Sequence, residues 1–127
     1  MLYTYEYALN YNPSMPVVEI WLGRAQHVPT FSLIALVDSG ADGTIIPLKH
    51  LKTLQARRGR KKLLSGVTGN AGLYDTFEVS LRLGAYERST LEVVADPKNK
   101  EAILGRDVLN QFIVTLNGLA SMVEITQ

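Results

Sequence analysis

The chain has 127 residues, of which 46% are hydrophobic and 20% charged, with a formal net charge of +1. That is enough for one domain, spanning 1–127, with a real core, and the composition excludes the disordered class. The near-neutral balance gives no whole-molecule field for nucleic acid or a membrane surface, and the absence of Cys removes disulfides and thiolate metal sites.

Most segments alternate or are β-branched, with turn signals between them. Tyr3, Tyr5 and Tyr7 alternate with polar residues in the first segment, which predicts a strand with one buried face. This N-terminus has neither the basic start nor the apolar core of a signal peptide, and no apolar run approaches ~18 residues. We therefore expect a soluble, cytoplasmic chain without a membrane partner. A second strand starts after Pro16 and closes at Gly23. From Leu33 to Val37 the chain is continuously apolar, as in a strand covered on both faces. Gly43–Pro47 forms a short strand, and Pro47 suits the start of a short helix to Gln55, with Leu48, Leu51 and Leu54 at helical spacing. Ala56–Lys62 is a basic connector.

Residues Gly66 to Gly72 are a Gly-rich tip between two β-like arms, which predicts a hairpin. Ser89–Ala95 and Ala102–Leu104 are further strands, and Gly105–Phe112 has helix-like apolar spacing at Val108, Leu109 and Phe112. Asn117-Gly118 then joins two apolar arms as the type I′ turn of a final hairpin. The pattern is all-β with one or two short helices.

The chemistry concentrates at Ala35–Pro47, "ALVDSGADGTIIP", where an apolar strand runs into Asp38 and then Asp42. The DGT triplet echoes a phosphatase motif, but Gly40 occupies the position of that motif's nucleophilic Asp. A Ca²⁺ loop needs oxygen ligands at alternate positions, which Ala41 and the run from Ile45 deny. His27 and His50 lie apart and read as surface residues, and Trp21 as core.

Asp38-Ser39-Gly40 after an apolar strand resembles the active-site triplet of aspartic peptidases. Together with "AILGRDVLNQF" (Ala102–Phe112) and the Gly-rich hairpin between them, it resembles the single-domain, retroviral-type branch, the retropepsins. The long N-terminal segment, the helix and basic run at Pro47–Lys62, and the C-terminal hairpin look more like cellular and bacterial relatives than viral proteases. The resemblance implies a closed β-barrel or sandwich, one lobe of the acid protease fold, with a β-hairpin flap. It implies an aspartic endopeptidase acting on extended peptides.

Asp38 would be the catalytic carboxylate. One carboxylate does not suffice, because a base must activate water while an acid protonates the carbonyl. A single D-S-G therefore implies a homodimer with an Asp38/Asp38′ dyad sharing one proton, an acid-to-neutral optimum, and no metal or cofactor. By resemblance, Ser39 would bond across the dimer axis and Gly40 would allow close backbone approach. Asp42 and Arg106 would form a buried pair tying the active-site loop to the second helix. Leu36, Ile45 and Ile103 would line apolar pockets. Ala41, Asp42 and Gly43 would meet the substrate backbone, with Val67, Thr68 and Gly69 at the flap tip.

Two rival readings use other features. One is a non-catalytic dimeric peptide-binding module of the same fold, against which the intact D-S-G argues. The other is a nucleic-acid-associated module using the basic run 57–62, which lacks interleaved aromatics and reads as a solvated loop.

Overall fold

The computed structural model describes residues 1–65 and 71–127. In chain order the elements are β1 (Leu2–Glu6), β2 (Val17–Arg24), β3 (Phe31–Val37), β4 (Ile45–Pro47), α1 (Leu48–Thr53), β5 (Arg57–Arg58) and β6 (Lys62–Ser65). They continue with β7 (Ala71–Tyr74), β8 (Thr76–Leu83), β9 (Tyr86–Asp96), β10 (Ala102–Leu104), α2 (Arg106–Leu109), β11 (Ile113–Asn117) and β12 (Met122–Thr126). No helix among the described residues is long and apolar enough to cross a membrane.

Six strands close into a barrel in the order β2-β3-β10-β4-β9-β8, with β8 returning to β2. Alternation explains the closure. Val18, Ile20 and Leu22 on β2, and Val79, Leu81 and Leu83 on β8, point inward and are fully or almost fully buried, as are Val93 and Leu104. A second layer, β1-β12-β11, lays Val123 and Ile125 onto the same core. In it the N-terminal strand pairs with the C-terminal strand of its own chain, Leu2 opposite Thr126 and Glu6 opposite Met122. Gly84 opens the β8–β9 turn at φ +59, and the Tyr3 ring covers the space where a side chain would stand, docking β1 on the barrel.

Four expectations need correction. β3 is not covered on both faces: Ile34 is 55% exposed, because on a barrel strand alternate side chains leave the core whatever their hydrophobicity. Trp21 likewise sits half-buried on the outer face of β2, with the Arg82 guanidinium 5.0 Å from its ring centre. The basic run is not a free connector. Arg57 and Arg58 form β5 against β8, ion-paired to Glu78 and Asp75, and Lys61 also reaches Asp75. The last hairpin does not turn at Asn117-Gly118 as a type I′ pair. Its loop runs from Gly118 to Ser121, Ser121 takes the left-handed conformation (φ 54), and the Asn117 side chain accepts the Ala120 amide. That side-chain bond gives the chain an alternative to the two-residue turn.

Candidate active site

Asp38 stands where β3 leaves the barrel. Parallel pairing puts Leu36 beside Ile103 and Val37 beside Leu104, and the Asp38 amide continues the ladder to the Leu104 carbonyl at 3.1 Å. The chain then turns sharply. The Gly40 amide donates to Asp38 Oδ1 at 2.9 Å, and the Ala41 amide to the Asp38 carbonyl at 3.2 Å. The turn fixes one carboxylate oxygen by a backbone donor and leaves Asp38 half-buried, with Ser39 and Gly40 exposed beside it.

The other half of the site comes from β10 and α2. The Arg106 guanidinium donates to the Ser39 carbonyl at 2.7 Å and pairs with the Asp42 carboxylate, while its amide donates to the Ala41 carbonyl at 2.9 Å. A single residue thus holds three points of the loop. The pair is not buried, however: the Arg106 and Asp42 side chains are 42% and 73% exposed. The buried polar centre lies just further along, two residues past Asp42 and one past Arg106. Thr44 is fully buried, and its amide and hydroxyl donate to Asp107 at 3.0 and 2.8 Å. Its hydroxyl oxygen also accepts the Gly105 amide at 3.2 Å, and its carbonyl accepts the Val94 amide at 3.0 Å. A side chain on Gly105 would begin 2.5 Å from the Gly43 backbone, so only Gly permits this approach.

The apolar residues named from the sequence fall into one transverse row. Ile103 is opposite Leu36 on one side and Ile45 on the other, and Ile45 is opposite Val94. Ile45, Ile103 and Val94 floor a hollow of about 360 Å³ that Leu64 and Tyr74 overhang; Leu36 lies outside its lining. At the rim, burial pulls the Asp96 carboxyl up. Hydrogen bonds from the Lys98 and Asn99 amides and the Asn99 side chain, together with the Lys98 charge, outweigh burial and hold it below the usual range.

β6 and β7 form the arms of a hairpin, Lys62 opposite Tyr74 and Leu64 opposite Gly72. Residues 67–69, the expected flap tip, lie outside the described residues. Thr44, Asp107, Leu64, Tyr74 and Val94 were not singled out from the sequence. Asp107 had a signal in its place beside Arg106; the others depend on pairings between distant segments. Among the described residues no three His, Asp or Glu side chains group as metal ligands.

Residues 12–117 match the family model described as retroviral aspartyl protease. The fold is similar to that of a retropepsin-like aspartic protease from Rickettsia conorii, at 11% identity over 98% of this chain and 91% of that one, with a TM-score of 0.64. It is also similar to EIAV protease complexed with the inhibitor HBY-793, at 23% identity over 76% of this chain and 86% of that one, with a TM-score of 0.58. These likenesses show the fold, a retropepsin-like barrel. No curated protein matches the sequence.

Proposed function

The chain belongs to the retroviral aspartyl protease family, and on that premise we propose that it is an aspartic endopeptidase active as a homodimer, with Asp38 of each copy forming the catalytic dyad. The observation that carries this reading is the state of the acids around the site. Asp42 is held by Arg106 and Asp107 by Thr44, whereas Asp38 has one oxygen bonded by the Gly40 amide and faces a surface left open at Ser39 and Gly40. Asp42 and Asp107 are therefore committed to structure. A second copy supplies the second acid.

In such a dyad two carboxylates at close range cannot both ionise, so they share one proton. The ionised partner takes a proton from water as its oxygen bonds to the peptide carbonyl carbon, and the protonated partner gives its proton to the carbonyl oxygen. Collapse of the tetrahedral species breaks the C–N bond: one hydroxyl returns its proton to the dyad as the carboxyl forms, and the amine leaves with the proton held by the other carboxyl, which restores the single shared proton. The substrate would lie extended between the active-site loop and the β6–β7 hairpin, bonding by its backbone. The hollow floored by Ile45, Ile103 and Val94 would take an apolar side chain. The nucleic-acid reading loses support, because Arg57, Arg58 and Lys61 are engaged by Glu78 and Asp75.

The test compares wild type with Asp38→Asn on a peptide library across pH, with mass by light scattering. Asn retains the oxygen that accepts the Gly40 amide, so the variant folds, and we expect it to lose at least about 10²-fold in cleavage. Equal cleavage by both proteins, or a folded wild-type dimer that cleaves nothing, overturns the reading.

A further inference from the structure

The basic run acquires a role once the faces of the hairpin are assigned. Side chains alternate along a strand, so on β6 Lys62 and Leu64 share one face and Leu63 takes the other. Across the pair, Tyr74 is opposite Lys62 and Gly72 opposite Leu64, and Leu73 is opposite Leu63. Leu64 and Tyr74 overhang the apolar hollow, whereas Leu63 and Leu73 are 66% and 64% exposed. The underside of the hairpin is therefore the face carrying Lys62. A separate contact agrees: Lys62 Nζ lies 3.5 Å from the point where a side chain on Gly43 would begin. An ammonium thus stands over the active-site loop, between the hairpin and the backbone that leads from Asp38 to Ile45.

Three other cations of the run have carboxylate partners, whereas Lys62 has none among the described residues within ion-pair distance. Arg57 pairs with Glu78, and Arg58 and Lys61 with Asp75. Among the described residues no carboxylate lies within 4.0 Å of Lys62 Nζ. The carboxylate that faces the same point from α2, Asp107, spends its oxygens on the Thr44 amide and hydroxyl, and Asp42 is held by Arg106. At the rim of the hollow Lys98 stands beside Asp96, so that edge carries one charge of each sign.

We propose that Lys62 is a specificity-determining residue that selects peptides carrying an acidic side chain next to the apolar residue seated over Ile45 and Ile103. The inference rests on the peptidase reading above. A peptide strand between the hairpin and the loop must pass the ammonium, and a Lys or Arg at that place in the peptide meets a like charge; the Asp107 carboxylate, bonded only by the neutral donors of Thr44, keeps its charge and softens that repulsion without pairing with Lys62. Twofold symmetry repeats Lys62 on the other side of the scissile bond, so the preference applies to both halves of the substrate.

The experiment measures kcat/KM on a peptide series with a fixed apolar residue and Glu, Gln or Lys at each flanking position, for wild type, Lys62→Met and Lys62→Glu, at low and high salt. Lys62 is exposed, so both variants fold. For wild type, the Glu peptide is expected to exceed the Lys peptide by about five- to tenfold at one position or more, with the ratio shrinking in salt. Lys62→Met flattens the ratio and Lys62→Glu inverts it. Asp38-dependent cleavage of all three peptides at equal rates overturns this inference and leaves the peptidase standing. Cleavage of none overturns both.

Discussion

Thr44 gives its amide and its hydroxyl to the two carboxylate oxygens of Asp107, at 3.0 and 2.8 Å, across 63 residues of sequence. The same hydroxyl accepts the Gly105 amide, so one fully buried side chain joins the active-site loop, the end of β10 and the first turn of α2. Arg106 spans the same gap from the outside. The two ties differ in kind. Thr44 is fully buried and Asp107 half-buried, so groups left unpaired there reach water poorly, whereas Asp42 and Arg106 are more exposed.

Thr44→Val keeps the shape and removes the hydroxyl. It strands one Asp107 oxygen and the Gly105 amide, at a cost of about 2 kcal/mol. We expect a fall in Tm of roughly 4–10 °C by calorimetry, and Thr44→Ser should recover most of it. A Val variant as stable as wild type would mean that the hydroxyl is not the joint.

Gly105→Ala isolates a steric effect. Gly105 has an extended backbone (φ −95, ψ −176), which Ala adopts without strain. Its methyl would nevertheless start 2.5 Å from the Gly43 carbonyl and 3.0 Å from the Ala41 carbonyl, both backbone atoms that cannot rotate away. We expect a loss of about 3 kcal/mol or more, or failure to fold, read by urea unfolding. A neutral outcome would show that the loop and α2 separate easily.

The barrel was legible because its strands alternate or follow turn residues, and inward positions such as Ile20, Leu22 and Leu81 follow from period two alone. Asp38 stands out in the sequence because Asp-Ser-Gly follows an apolar strand, and the structure places it in a turn at the end of β3 beside exposed Ser39 and Gly40. What stayed hidden depends on pairing between distant segments. Nothing local says that Thr44 meets Asp107, or that Val94 joins the Leu36–Ile103–Ile45 row, since only the register of β3, β10, β4 and β9 aligns them. Lys62 was hidden in a charge run. Composition groups it with Arg57 and Arg58, but the structure puts those on the edge of β8 and Lys62 beneath the hairpin. Asn117-Gly118 misled because a side-chain bond to Ala120 settled the loop differently.

A buried Asp42–Arg106 pair would make Arg106→Ala leave the chain unfolded or monomeric. With both side chains largely hydrated, the expected loss is about 1–2 kcal/mol, made up mostly of the bond to the Ser39 carbonyl. The protein should fold with a slightly lower Tm, while peptide cleavage falls further than stability because Ser39 and Asp42 lose their common anchor. Arg106→Lys should not rescue cleavage, since one ammonium cannot copy the two-directional fork. Full activity in the Lys variant would remove Arg106 from the positioning of the loop.

His50 introduces a pH dependence remote from the site. It lies on α1 with its ring centre 5.2 Å from that of Phe31. Partial burial, and then the neighbouring Lys49 charge, lower its pKa below the ordinary 6.5. The unfolded chain therefore binds more protons than the folded one in the window between the folded pKa and 6.5, and stability rises with pH there. The contribution is complete above about 6.5 and is lost as pH falls through the folded value. Melting wild type and His50→Gln side by side at pH 7.5 and pH 5 separates this from the carboxylates, which titrate in both. Wild type should lose more Tm than the variant on acidification, and parallel losses would exclude His50. The proposed shared-proton dyad would favour acid while α1 favours neutrality, so on that proposal the variant should also stay active longer under acidic assay conditions.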